Sequence, residues 1–340
     1  MEEYRLPAEM RKNPLPLVYV AALALLLALA AAALAVGRYP VSLSEMLMLL
    51  IDPGSVSANA KAVLLQIRGP RVLAALLVGA ALAAAGSVYQ GMLRNPLVSP
   101  DILGVSSGAA LGAALAMILS LPAIFVQAFA FAGGLLAVAL VYWIGSRLRG
   151  HDPLLALVLT GVVIGTLLGA GVSLLKLLAD PLGQLPAITF WLLGSLALIT
   201  PADLAIAAPL ALIALIPLAL LRWRVNLLTL PDDEARALGA DPGRLRALVV
   251  GAATLMTAAA VAISGVIGWI GLLVPHGARL LVGPGFGRLL PLAMLLGAAF
   301  LLAVDTLCRS LTTELPPGVV TAIVGTPLFL WLFAMARRSW

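Results

Sequence analysis

Apolar runs of about 20 residues recur along this chain, the first being PLVYVAALALLLALAAAALAV at 16–36, and they restrict its folding more than any motif does. A helix rising 1.5 Å per residue crosses about 30 Å of hydrocarbon in such a run. No water is available there to satisfy a bare amide, so the backbone must close its own hydrogen bonds as a helix or a closed barrel. The runs are rich in Ala, Leu and Gly and lack the strict alternation of barrel strands, which leaves helices. With 62% hydrophobic and 11% charged residues and a mean hydropathy of +1.11 over 340 residues, the chain has more apolar surface than one water-soluble core can hide. It reads as an all-α polytopic membrane protein, a single membrane domain over residues 1–340.

The expected spans are 15–36, 61–88, 95–118, 123–147, 153–178, 201–221, 244–264, 266–282, 288–309 and 318–336, with a shorter helix near 187–197. The first follows Arg11 and Lys12 but is too long for a signal-peptide core, and is read as retained. Ten spans put both termini on one side. Only Arg38, Lys61, Arg68, Arg71, Lys176 and Arg309 of the 21 Lys and Arg then fall on the other side, so the termini are expected to be cytoplasmic. The net charge of +6 is explained by this topology rather than by nucleic acid, because the basic residues sit between spans and form no single face. Prolines 209 and 217 lie inside one run and predict kinks.

Small residues recur at Gly104, Gly108, Gly112 and Ala116, and again at Gly161, Gly165 and Gly169, each row on one helix face. Such faces serve close helix packing, or a surface that slides or lines a path. Catalytic signatures do not survive inspection. GVSSG at 104–108 fits a nucleophile-elbow pattern but lies in a membrane helix, and the histidines, His151 and His276, fall in different loops of this topology. No H-E-x-x-H, phosphate-binding G-x-x-x-x-G-K-[ST] or paired cysteines occur, and Cys308 stands alone. No cofactor or metal is expected on this chain, and it is not expected to be an enzyme.

One polar island interrupts the oil: TLPDDEARALGADPGRLR at 229–246. Pro231 followed by Asp232, Asp233 and Glu234 marks a helix start, and Gly239 its C-terminal cap. Asp241-Pro242 starts the next helix. A short helix with a small patch of Ala235, Leu238 and Gly239 is expected at 229–242, ready to receive a partner.

The EARALG segment resembles the coupling helix of permeases of the FecCD family of ABC importers, which carry ferric siderophores, haem and cobalamin. IRGPR (67–71), YQGMLRNPLVSPDILGVSSGAALG (89–112), FWLLGSLA (190–197), SGVIGWIGLLVPHGARLLVG (264–283), LLPLAMLLGAAFLLAVDTLCRS (289–310) and ELPPGVVTAIVGTPLFLWLF (314–333) are similar to family blocks in the family's order. The resemblance implies the type II importer permease fold, in a homodimer in the cell inner (plasma) membrane. Two ATPase subunits, which bind ATP and Mg, would act on the cytoplasmic side, and a substrate-binding protein would dock outside. Glu234, Ala235, Leu238 and Gly239 would meet the ATPase. Arg68, Arg71 and Arg309 match positions that present arginines to glutamates of the binding protein, although interfacial snorkelling is the alternative. Gly277 and Lys176 depart from the family pattern. Lys176 either snorkels or, with Gly161, Gly165 and Gly169, faces a translocation path and favours an anionic cargo. The alternatives kept are the same importer class for an oxyanion such as molybdate, a non-transporting membrane scaffold, and an intramembrane enzyme.

Overall fold

The computed structural model describes residues 15–37, 39, 41–148, 152–311 and 315–336. Arg11, Lys12, Arg38 and His151, named above, and Arg5, Arg149, Arg337 and Arg338, counted on the terminal side, lie outside the described residues. Among those described, the elements are helices: α1 (Leu15–Ala35), α2 (Leu43–Ile51), α3 (Ala58–Ala62), α4 (Gly69–Met92), α5 (Val105–Ile118), α6 (Ala123–Gly145), α7 (Pro153–Leu178), α8 (Gln184–Leu192), α9 (Pro201–Leu220), α10 (Arg222–Val225), α11 (Asp232–Ala237), α12 (Pro242–Ser264), α13 (Ile270–Val282), α14 (Phe286–Ser310) and α15 (Pro317–Ala336). A π-helical stretch, Val63–Arg68, joins α3 to α4 in one rod, Ala58–Met92.

The central element is α4, almost wholly buried and packed on α12, α13 and α14. Glycine makes that contact close. Gly79 of α4 and Gly297 of α14 are so near that a methyl on either would strike the other's carbonyl oxygen, and a methyl on Gly86 would strike the carbonyl oxygen of Gly271 in α13. The small-residue row at 104–116 works likewise: Gly108 packs on Gly133 and Gly112 on Phe129 of α6, with Ala116 buried. This row is packing surface. In lipid, where apolar side chains gain little by leaving the solvent, such backbone proximity is what holds helices together.

Two expected spans begin later than the sequence pattern suggests. The 95–118 region becomes a re-entrant loop, a 3-10 turn (Pro100–Leu103) and then the 14-residue α5. Asn95, Pro96 and Pro100 break the helix, and Gly104, at φ +77°, reverses the chain into α5. Its non-helical backbone is tolerated because protein surrounds it: Gln90 donates to Val98 O (3.3 Å), and Gly161 of α7 lies against Ile102. The 266–282 region likewise starts its helix, α13, only at Ile270, after Gly265 and Trp269 at positive φ. The helix expected near 187–197 is α8, which stops at Leu192. By contrast α9 continues through Pro209 and Pro217 as one helix.

Two hydrogen bonds set α1 and α14 parallel. Tyr19 OH donates to Arg288 O (2.6 Å) at their starts, and Arg309 Nη2 donates to Ala33 O at their ends. The polar island therefore sits at one end of the bundle, with the starts of α1, α12 and α14. Arg68, Arg71 and Arg309 sit at the other, with the end of α1 and the start of α4.

Candidate coupling site

The island folds as its residue types dictate. Asp232, Asp233 and Glu234 occupy the first turn of α11, where the positive end of the helix dipole favours them. The helix closes with paired bonds, Gly239 N to Arg236 O (2.9 Å) and Ala240 N to Ala235 O (3.0 Å), around Gly239 at φ +80°. That is the Schellman arrangement, and it satisfies carbonyls that the helix end would leave bare. Asp241 Oδ1 then accepts from Arg244 N (3.1 Å) and caps α12.

Three side chains wire this short helix and the segment leading into it to the membrane elements. Arg246 of α12, itself buried, holds Asp232 at 2.9 Å. Arg94, just past the end of α4, donates to the carbonyls of Leu228 (3.4 Å) and Leu230 in the turn that leads into α11. Asn226 Oδ1 accepts from Phe286 N (2.9 Å) at the start of α14. The pairs Arg236–Asp233 and Arg244–Asp241 are exposed and contribute at most about 1 kcal/mol each. A cleft of about 340 Å³, lined by Arg94, Asn95, Asp152 and Leu155 among others, opens beside the wired end of α4.

The expected contact residues divide into two faces. Leu238 is 64% exposed, Glu234 is exposed, and beside Gly239 there is open space. Ala235, at 1%, points inward. It seats the helix on its own chain and is unavailable to a partner, a correction that follows from its helical register with Asp232.

At the opposite end the three arginines are buried, which corrects the expectation of charges offered outward. Arg71 Nε and Nη2 grip both oxygens of Asp305 at 2.8–3.0 Å. Arg309 Nε lies 4.0 Å from the same carboxylate. Arg68 donates to the carbonyls of Leu34 (2.7 Å), Ala35 (3.0 Å) and Tyr39 (2.5 Å). The last turn of α1 has no basic residue of its own, so Arg68 and Arg309 cap its bare carbonyls from outside.

The glycine row on α7 is split. Gly161 is packed on the re-entrant loop, Gly165 has Gly104 and Ser107 at ordinary contact distance, and Gly169 has no neighbour within 4 Å. Lys176 is half-exposed in the last turn of α7. Ser106 donates to Asp101, and His276 lies in α13 against Phe329, so no triad forms around them. Sequence reasoning missed Arg94 and Arg246 as anchors. Each is the first cation beside an apolar span, but contact with residues far along the chain was invisible.

A bundle of apolar helices that carries one short, firmly held helix at its end, with an exposed tip, is the plan of a transporter's membrane permease. The sequence profile of the FecCD transport family matches residues 25–335, and the chain belongs to that family. It is 41% identical to the molybdate import system permease MolB of Haemophilus influenzae, over 89% of this chain and 91% of the relative. It is 43% identical to the hemin transport permease HmuU of Yersinia pestis (81% and 84%) and 42% identical to the cobalamin import permease BtuC of Halobacterium salinarum (82% and 74%). Among solved structures, a transporter described as of metal-chelate ABC type, in an inward-facing conformation, superposes with TM-score 0.86 at 38% identity, covering 94% of this chain and 99% of that one. The PsaBC structure from Streptococcus pneumoniae shares the fold alone, with TM-score 0.56 at 16% identity.

Proposed function

We propose that this chain is the translocating subunit of an ATP-driven importer that takes a metal chelate, such as a ferric siderophore, haem or cobalamin, from a binding protein into the cytoplasm. Two copies form the path, with the α11 end in the cytoplasm. Each α11 sits in a cleft of one ATPase subunit, and ATP-driven closure of the ATPase pair pulls the α11 helices. The observation that carries this reading is the wiring of α11 to α12, and of the segment leading into it to α4 and α14, which turns a push on Leu238 into a tilt of the spans. The binding protein docks at the opposite end, on a surface that the buried arginines shape. Leu238→Asp and Gly239→Arg, in permease co-reconstituted with its ATPase, are expected to abolish ATP-dependent uptake while insertion stays normal. Uptake near the unmodified level would remove α11 from the coupling step.

An oxyanion cargo is the second reading. It is favoured by Lys176 at the end of α7 and by the similarity to a molybdate permease. The ligand retained by the cognate binding protein separates the two cargoes.

A further inference from the structure

The connection between α1 and α3 holds an element that transport, as described, does not use. A capping box starts α2: Glu45 N donates to Ser42 Oγ (3.2 Å) while Ser42 N donates to Glu45 Oε2 (2.9 Å). The helix has nine residues, far too few to cross a bilayer. Its flanks, 36–42 and 52–57, are short, and Arg68 ties the near one, through Tyr39, to the end of α1, through Leu34 and Ala35. Both ends of α2 are thus tied by short flanks to α1 and to the Ala58–Met92 rod, two helices long and apolar enough to cross a membrane.

At 100° per residue, Ser44, Leu47, Met48 and Ile51 fall within one arc of about 100°. All four are exposed, Leu47 at 53%, Met48 at 48% and Ile51 at 79%. The face carries no charge, and α2 packs chiefly on the 3-10 turn Pro53–Ser55 that follows it. The rod that follows presents Leu65, Ile67 and Leu73, exposed as lipid-facing residues of a span are, and Tyr39 in the near flank is exposed as well. Lipid is the occupant that the chain itself brings to this face, since both flanks of α2 lead directly into helices of membrane-crossing length. A docking protein that recognises charge would find none on this face.

We propose that α2 is an interfacial helix, lying flat at the lipid–water boundary with Leu47, Met48 and Ile51 in the bilayer and its capped N-terminus toward water. It fixes the depth of the first two spans and does not cross the membrane itself.

Nitroxide labels on Leu47→Cys and Ile51→Cys, in the full chain reconstituted into phosphatidylethanolamine–phosphatidylglycerol vesicles, test this. Cys308 is buried, so the unmodified protein is the blank. Leu73→Cys, within a span, is the lipid reference, and Ser55→Cys, exposed in the turn, is the water reference. Collision with oxygen should exceed collision with a water-soluble nickel chelate several-fold at both positions, as at Leu73. A ratio like that of Ser55 overturns the proposal. So does poor access to both reagents, which would mean that a second copy or another protein covers the face. Should one variant fail to insert, Met48→Cys reads the same face.

Discussion

At the scale of single residues, the buried carboxylate of Asp305 decides most. It is fully buried and held by both arms of Arg71, so charge in the membrane end is met by charge rather than left for ion coupling. Arg71→Met leaves that carboxylate without its main partner and is expected to lower stability by about 3–5 kcal/mol, read as a large fall in unfolding temperature in detergent. Arg71→Met combined with Asp305→Leu should recover much of the loss, since two matched apolar groups replace the pair. A single variant as stable as the unmodified chain would show that the pair does not hold α4 to α14. The sequence placed these charges at the right end of their spans. Whether they pointed out or inward was not in it, because the carboxylate and its arginine are separated by more than 230 positions.

At the scale of elements, α11 shows how a polar helix of six residues keeps its place. Alone it is too short to be stable in water. Its order comes from Arg246, Arg94 and the seated Ala235. Arg246→Met removes a hydrogen bond to a charged group, a loss of about 1.5–3 kcal/mol, or tenfold or more in the population of the seated helix. Uptake should therefore fall further than ATP hydrolysis in the reconstituted complex; equal falls would mean that the anchor serves folding alone. On α2, the backbone N–H and hydroxyl of Ser42 hold the Glu45 carboxyl below the usual glutamate value of about 4.3. A depressed carboxylate adds stability above its unfolded pKa and loses it as pH falls through the folded one. A nitroxide on Ile51→Cys should gain mobility on acidification only below the usual glutamate range and stay rigid at neutral pH. A flat response would leave the capping box without a role in holding α2.

At the scale of the whole molecule, ten apolar helices were visible as hydropathy and small-residue spacing, and seven of them have spanning length. The two that begin late, α5 and α13, follow non-helical backbone that only neighbouring helices make tolerable. Lys176 belongs to this scale, since its effect depends on what a second copy places opposite. If it faces the path of a dimer, two ammonium groups repel until an anion enters between them. Lys176→Met keeps the stem and removes the charge, so uptake of an anionic cargo should fall while assembly and basal ATP hydrolysis persist. Unchanged uptake would assign the lysine to the headgroups instead.

The sequence by itself determined that the chain is a helical membrane bundle with a polar helix at one end, because hydropathy, dipole preference and glycine capping act over one or two turns. Even the Schellman close at Gly239 was readable from its residue type. The tertiary structure alone decided which side of α11 faces outward, that Gly161 packs on the loop before α5, and that Arg68, Arg71 and Arg309 are satisfied inside. Those outcomes depend on partners dozens to hundreds of residues away. In a low-dielectric interior a buried guanidinium must find its acceptors wherever the fold brings them.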